Sequence, residues 1–134
     1  MNAKHKILFV CVENSCRSQM AEGFARLHGA DKFEAFSAGS KPSGKINATA
    51  VEVMREKNVD LMEQRSKSIS ELPRVAWKAV VTMGCGDACP SLPAERRLDW
   101  ALPDPKRMPL EEFRVVRDDI EARVKALLAE IAVA

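Results

Sequence analysis

The sequence predicts an α/β fold: a three-layer sandwich in which a four-stranded parallel sheet is flanked by helices. Three observations predict it. Short apolar runs rich in strand formers punctuate the chain, and segments of helical period separate them. Strands alternating with helices imply crossover connections, which make neighbouring strands parallel. No linker, repeat or low-complexity stretch divides the 134 residues, a usual size for one core, so residues 1–134 are read as a single domain.

Residues 6–12 carry Ile7-Leu8-Phe9-Val10 and read as a buried first strand. Residues 18–29 read as a helix, with Met20, Phe24 and Leu27 at helical spacing and Gly29 just past its end. Residues 33–37 alternate as a short strand, closed by Gly39 and the Lys41-Pro42-Ser43-Gly44 turn. Asn47 can cap a second helix that carries Ala50, Val51, Val53 and Met54 to about residue 57. Residues 60–76 are mixed and polar, with one short helical turn at 69–72. Residues 79–83 form a third strand running into Gly84-Cys85-Gly86, and 97–100 a fourth, ending before Pro103-Asp104-Pro105. From Pro109 a long helix follows, with Phe113, Val116, Ile120, Val124, Leu127 and Ile131 on one apolar face.

Composition narrows the function. A net charge of +2, with Lys and Arg scattered among nearly as many acids, offers no stripe for nucleic acid. The apolar run at 7–10 is too short for a signal peptide core, and no stretch nears the roughly 20 residues that span a bilayer. A cytoplasmic protein, with no membrane partner, is expected. In that compartment four cysteines signal metal binding, redox chemistry or nothing, rather than a disulfide framework.

Ligands of open parallel sheets bind beyond the carboxyl ends of the strands. Three polar clusters fall there: residues 11–18, residues 85–89 and Asp104. The first reads Cys11-Val12-Glu13-Asn14-Ser15-Cys16-Arg17-Ser18. A tight turn between strand and helix can aim successive N–H groups at one centre, and the helix adds its positive end. Arg17 can grip two oxyanion oxygens with its planar fork, and Cys11 supplies a sulfur nucleophile. Asn14 tolerates the left-handed conformation such a turn needs. Ser18 can hydrogen-bond the Cys11 sulfur. The bland alternative, a buried cysteine beside a solvated arginine, does not use the strand before, the helix after, or Asn14 and Ser18.

These residues resemble the phosphate-binding loop of low-molecular-weight protein tyrosine phosphatases. The extension Gln19-Met20-Ala21-Glu22-Gly23 is similar, more narrowly, to thiol-dependent arsenate reductases built on that phosphatase fold. The resemblance continues through Ser37-Ala38-Gly39 and Asp104-Pro105 to the last helix. It implies that Cys11 is the nucleophile, that Glu13, Asn14, Ser15, Cys16, Arg17 and Ser18 form the oxyanion loop, and that Asp104 is the general acid. Arsenate is the expected substrate, with phosphate or sulfate competing. One departure is Glu13, where family members often carry glycine. A carboxylate facing the anion would oppose binding, so its side chain is expected to point outward to solvent. Some relatives hold a potassium ion near the loop, and Lys67 stands at the position of an aspartate ligand. A solvated lysine in a polar loop is the favoured reading; the alternative is that its ammonium substitutes for the ion, with Asn14, Glu22 and Ser37 around it.

Cys85 and Cys89 separate a reductase from a phosphatase. A phosphatase needs only water to finish, whereas a reductase needs a second thiol to attack the Cys11 adduct and a third to free the nucleophile. Four extended residues span roughly 13–14 Å, a disulfide needs Cα atoms about 4.4–6.8 Å apart, and a helical turn rises about 6 Å. Gly84 and Gly86 leave the segment free to rearrange. A zinc site is the competitor, but His5, His28 and Cys16 are not at ligand spacing, so no metal is expected. His5 and His28 read as surface or helix-end residues, and Cys16 as a small buried side chain. Asp99 reads as structural. No tightly bound cofactor is expected, electrons coming from reduced thioredoxin, and a monomer is expected. The rival activity is a phosphatase acting on phosphotyrosine or a small phosphate ester. Against it, the chain has no tyrosine, and Lys106 rather than an aromatic follows Asp104-Pro105. A third option, an oxyanion- or metal-binding redox sensor, would have no need of Asp104.

Overall fold

A computed structural model describes residues 4–84 and 92–133. Its elements in chain order are β1 (His5–Cys11), α1 (Arg17–Gly29), β2 (Phe33–Gly39), α2 (Ala48–Arg55), β3 (Trp77–Thr82), β4 (Ala94–Asp99) and α3 (Leu110–Val133). Single 3-10 turns lie at Leu61–Glu63, Ile69–Glu71 and Pro105–Arg107. The sheet is four-stranded, in the order β2-β1-β3-β4, and every pairing is parallel. This is the α/β architecture read from the sequence.

β1 is an inner strand, and its residues 7–11 are apolar because both faces are covered there. Alternation along it feeds two clusters. Ile7, Phe9 and Cys11 join the larger one, which takes the apolar side chains of α1, α2 and α3. Leu8 and Val10 join the smaller one with Ala38, Trp77 and Val80, packed over by Ile69, Leu72, Val75 and Leu92. On α3 all six residues expected on the apolar face are buried.

Several boundaries differ from the sequence reading. β4 spans 94–99 rather than 97–100. It is an edge strand whose residues alternate half-buried and exposed, so Glu95, Arg97 and Asp99 stand in solvent and its first half carries little apolar signal. Trp100 lies just past it, its ring centroid 6.0 Å from that of Phe9. β2 and β3 each run two residues beyond the expected bound, to Gly39 and back to Trp77. Leu27 is 47% exposed, not core; α1 packs through Met20, Ala21, Phe24 and Ala25 instead. Asn47 caps α2 as expected, its side chain accepting from the Ala50 N–H at 3.0 Å.

The end of α2 is tied to α3 by charge. Arg17's counterpart in burial here is Arg117, whose Nη1 donates to the Val53 carbonyl (3.0 Å) and pairs with Glu56 (2.6 Å). Arg114 takes the other Glu56 oxygen at 2.8 Å. Hydrogen bonds from Arg114 and then Arg117 hold the Glu56 carboxyl down at about 2. Arg117→Ala is expected to lower unfolding free energy by about 1–3 kcal/mol, because the Val53 carbonyl loses its partner. Arg114→Ala, whose charge is nearer solvent, is expected to cost less. Urea denaturation of both variants checks the order.

Candidate active site

The loop between β1 and α1 leaves the carboxyl end of the central strand. Asn14 sits inside it with φ +50°, a left-handed turn that asparagine tolerates, and is fully buried. The orientation of its amide is fixed. The backbone N–H of Lys67 can only donate, and it lies 2.9 Å from Asn14 Oδ1. Gln19 Nε2 donates to the same oxygen at 2.9 Å. Asn14 Nδ2 must therefore be the atom that donates to Ser18 Oγ, at 2.7 Å. With its oxygen accepting, the Ser18 hydroxyl is free to donate to Cys11 Sγ, 2.9 Å away. A directed chain thus ends on the Cys11 sulfur.

The loop is held tightly from β2. A Cβ added at Gly39 would meet the Val12 carbonyl oxygen at 2.5 Å and the Asn14 N at 3.0 Å, so only glycine permits this approach. At the head of α1, Cys16 makes no side-chain cap, which leaves first-turn N–H groups for an anion. Arg17, Ser18, Gln19 and Glu22 are all buried there.

Arg17 reaches across the sheet edge. Its Nη1 donates to the carbonyls of Met83 (2.7 Å) and Leu102 (3.0 Å), and its Nη2 lies 3.9 Å from Asp104 Oδ2. Gly84, at φ +80°, makes the room: an added Cβ would stand 2.9 Å from the Leu102 oxygen and 3.0 Å from Arg17 Nη1. Glycine at this position therefore gives clearance to the Arg17 guanidinium. Asp104 caps the Pro105–Arg107 turn, accepting from the Lys106 N–H at 3.1 Å through one carboxylate oxygen while the other faces Arg17. A cavity of about 10 Å³ is lined by Cys11, Glu13, Ser15, Cys16, Arg17, Asp104 and Lys106. A nucleophilic sulfur, a guanidinium and a carboxyl group on one small polar cavity can carry out displacement at a tetrahedral oxyanion.

The family model for low molecular weight phosphotyrosine protein phosphatases matches residues 6–134. A glutaredoxin arsenate reductase of Synechocystis sp. is 39% identical over 130 residues, covering 95% of this chain and 98% of that one. A solved structure of an arsenate reductase in the phosphate-binding state is 40% identical with TM-score 0.85, covering 95% of this chain and 98% of its own. A thioredoxin-dependent arsenate reductase of Corynebacterium glutamicum is 28% identical with TM-score 0.80, covering 98% of this chain and 64% of its own. The chain belongs to the low-molecular-weight phosphatase family. Within it, the relatives at about 40% identity are arsenate reductases.

In this phosphatase-family chain the remaining expected residues fall as follows. Ser15 and Cys16 line the cavity. Burial, then the Asp104 charge, pushes the Cys16 thiol up to about 12, so it stays protonated at neutral pH. Glu13 does not point free into solvent, as expected from the sequence: its carboxylate pairs with Lys106 Nζ at 2.9 Å, because that ammonium offers a counterion at the mouth. Lys67 is no solvated lysine. Its side chain is 15% exposed, its ammonium donates to the Arg65 carbonyl at 3.0 Å, and it stands 3.9 Å from Glu22, whose carboxylate also accepts from Ser37. Burial lowers its pKa. Asp99 accepts from Thr82 Oγ1 at 2.7 Å, joining β3 to β4. His5 packs on Phe33, and His28 Nε2 meets Glu121 at 2.8 Å. Cys85 and Cys89 lie outside the described residues.

Two contributors escaped the sequence reading. Gln19 is fully buried and donates to Asn14 and to the Arg65 carbonyl, while Gln64 donates to Gln19. Its signal was its place directly after the Arg17-Ser18 pair, at the head of the helix. Lys106 was read only as a missing aromatic; its signal was a cation two residues after the acid.

Cys16 carries a pH signature. A thiol with pKa raised from 9.0 to about 12 on folding leaves the folded state protonated while the unfolded chain ionises. The unfolded state then binds fewer protons, so stability falls as pH rises through that window. The thermal midpoint of Cys16→Ala is expected to fall less steeply than that of wild type over the same range.

Proposed function

We propose that the chain reduces arsenate to arsenite, with Cys11 as nucleophile and Cys85 and Cys89 as the relay. The observation that carries the reading is the Asn14–Ser18–Cys11 chain, which aims a hydroxyl proton at a sulfur facing Arg17 and Asp104 across one cavity. A hydroxyl so aimed can donate to the sulfur both as it attacks and as it departs.

In the first step the Cys11 sulfur bonds to arsenic while an As–O bond breaks. Asp104 takes up a proton that the arsenate carries in and passes it to the departing oxygen, which leaves as water, while Arg17 with the loop N–H groups holds the other oxygens. In the second, the Cys85 thiolate attacks Cys11 Sγ. The As–S bonding pair stays on arsenic, arsenite leaves, and a Cys11–Cys85 disulfide remains. In the third, Cys89 attacks Cys85 and frees Cys11. The Cys85–Cys89 disulfide then takes two electrons from the dithiol of thioredoxin. Placement supports this order: Gly84, the residue before Cys85, packs against Arg17.

The reductant has a second candidate. The relative at 39% identity is a glutaredoxin enzyme, so glutaredoxin with glutathione is tested beside thioredoxin. A phosphatase reading also has a specific observation behind it: Cys11, Arg17 and Asp104, the groups that ester hydrolysis needs, line one cavity.

Arsenite release is to be measured with each reductant on wild type and on Cys11→Ser, Cys85→Ser and Cys89→Ser. Each substitution is expected to stop multiple turnover, Cys89→Ser keeping a single turnover. Steady phosphate-ester hydrolysis in Cys85→Ser, with no arsenite from wild type, gives the phosphatase. Ser18→Ala is expected to lower the single-turnover rate by about ten- to a hundredfold, the loss of one hydrogen bond to a charged sulfur. A rate within about twofold of wild type would remove Ser18 from the mechanism.

A further inference from the structure

The mouth of the cradle carries a charge pair that the proposed chemistry does not use. Glu13 belongs to the oxyanion loop and Lys106 follows Asp104 by two residues, yet Lys106 Nζ and Glu13 Oε2 meet at 2.9 Å. Both line the same cavity as Cys11, and that cavity, about 10 Å³, holds about one water molecule. The Glu13 carboxylate is the main cause that raises the Lys106 pKa.

Direction matters here. In an in-line displacement the leaving oxygen departs opposite the attacking sulfur, toward the acid. Asp104 caps the short turn that carries Lys106, and all three of Asp104, Lys106 and Glu13 line the cavity, so a leaving group protonated by Asp104 departs beside the pair. For an inorganic oxyanion the leaving group is water, which carries no organic group past the pair. For a phosphate monoester the leaving oxygen still carries its organic group, which must occupy the place of the pair. The pair is half-exposed and individually weak, so a small anion can pass and let it re-form. An ester prevents it from re-forming and leaves Glu13 uncompensated beside a dianion, a like-charge contact that disfavours binding.

We propose that the Glu13–Lys106 ion pair sets the substrate class of the cradle, admitting small inorganic oxyanions and excluding phosphate monoesters that carry a bulky organic group. The arsenate arm of this inference rests on the reductase reading above; the ester arm does not.

The test uses the full chain and p-nitrophenyl phosphate. There the Cys11–phosphorus bond forms as the bond to the aryl oxygen breaks, Asp104 protonates that oxygen, and water hydrolyses the phosphocysteine. Glu13→Gly/Lys106→Ala is expected to raise kcat/KM for this ester at least about tenfold over wild type. Lys106→Ala alone, which strands Glu13 at the mouth, is expected to weaken competitive inhibition by inorganic phosphate several-fold, and Glu13→Gln in that background to restore it. Glu13→Gln/Lys106→Met, close in shape and uncharged, serves if the smaller pair unfolds the loop. Ester hydrolysis in folded double variants within about twofold of wild type, with phosphate still inhibiting, overturns the proposal. So does a wild type that hydrolyses the ester as efficiently as the double variant. Failure of wild type to reduce arsenate would sink the reductase reading alone, since the ester comparison needs no reduction.

Discussion

The site depends on one backbone hydrogen bond that involves none of its reacting atoms. The Lys67 N–H fixes Asn14 Oδ1, and that single donor decides the sense of every bond downstream to Cys11. Were the amide turned over, Ser18 would have to donate to Asn14 and its lone pairs, not its proton, would face the sulfur. Lys67 is placed in turn by the bridge that pairs Gly39 with Ser68 at the end of β2, where the Gly39 N–H donates to the Lys67 carbonyl at 2.9 Å. The order of the sheet therefore reaches the Cys11 sulfur through four short hydrogen bonds.

Such a network is costly unless complete, because a buried polar group without a partner forfeits its solvation. Gln19, Gln64 and the Arg65 carbonyl complete it. This explains why α1 opens with a turn of buried polar residues and why its apolar moment is weak: its first turn serves the loop, its second the core. Leu27 was placed in the core on period alone, and the helix instead turns that residue outward. Polar burial displaced the apolar stripe by a step.

What the sequence made legible follows the same division. β1 and α3 were plain because apolar residues recur at one period over their whole length, and burial enforces that period. Cys11, Asn14, Arg17 and Ser18 were legible because strand, turn and helix constrain which residue types can stand there. The first half of β4 was not legible, since an edge strand with charges on its open face has no apolar alternation to show. Lys106 and Glu13 were each noticed as departures, 93 positions apart; only folding makes the two departures one feature. The clearance that Gly84 gives Arg17 was not legible, since it depends on a left-handed φ and on a side chain distant in sequence.

Arg17 joins the two halves of the proposed chemistry. Its guanidinium is anchored on the carbonyls of Met83 and Leu102, the chain positions that lead toward Cys85 and toward Asp104. An arginine with five donors can hold both carbonyls and still present N–H groups to an anion, which a lysine cannot. Because the anchor is rigid, displacement of the backbone at Met83 must be felt at the anion grip. The guanidinium proposed to bind the oxyanion is thus hydrogen-bonded to Met83, two residues before the proposed second thiol. Under the proposed relay, approach of Cys85 to the Cys11 adduct and loosening of the grip on arsenite would be one movement. A lysine at this position would bind the anion and leave the two steps uncoupled.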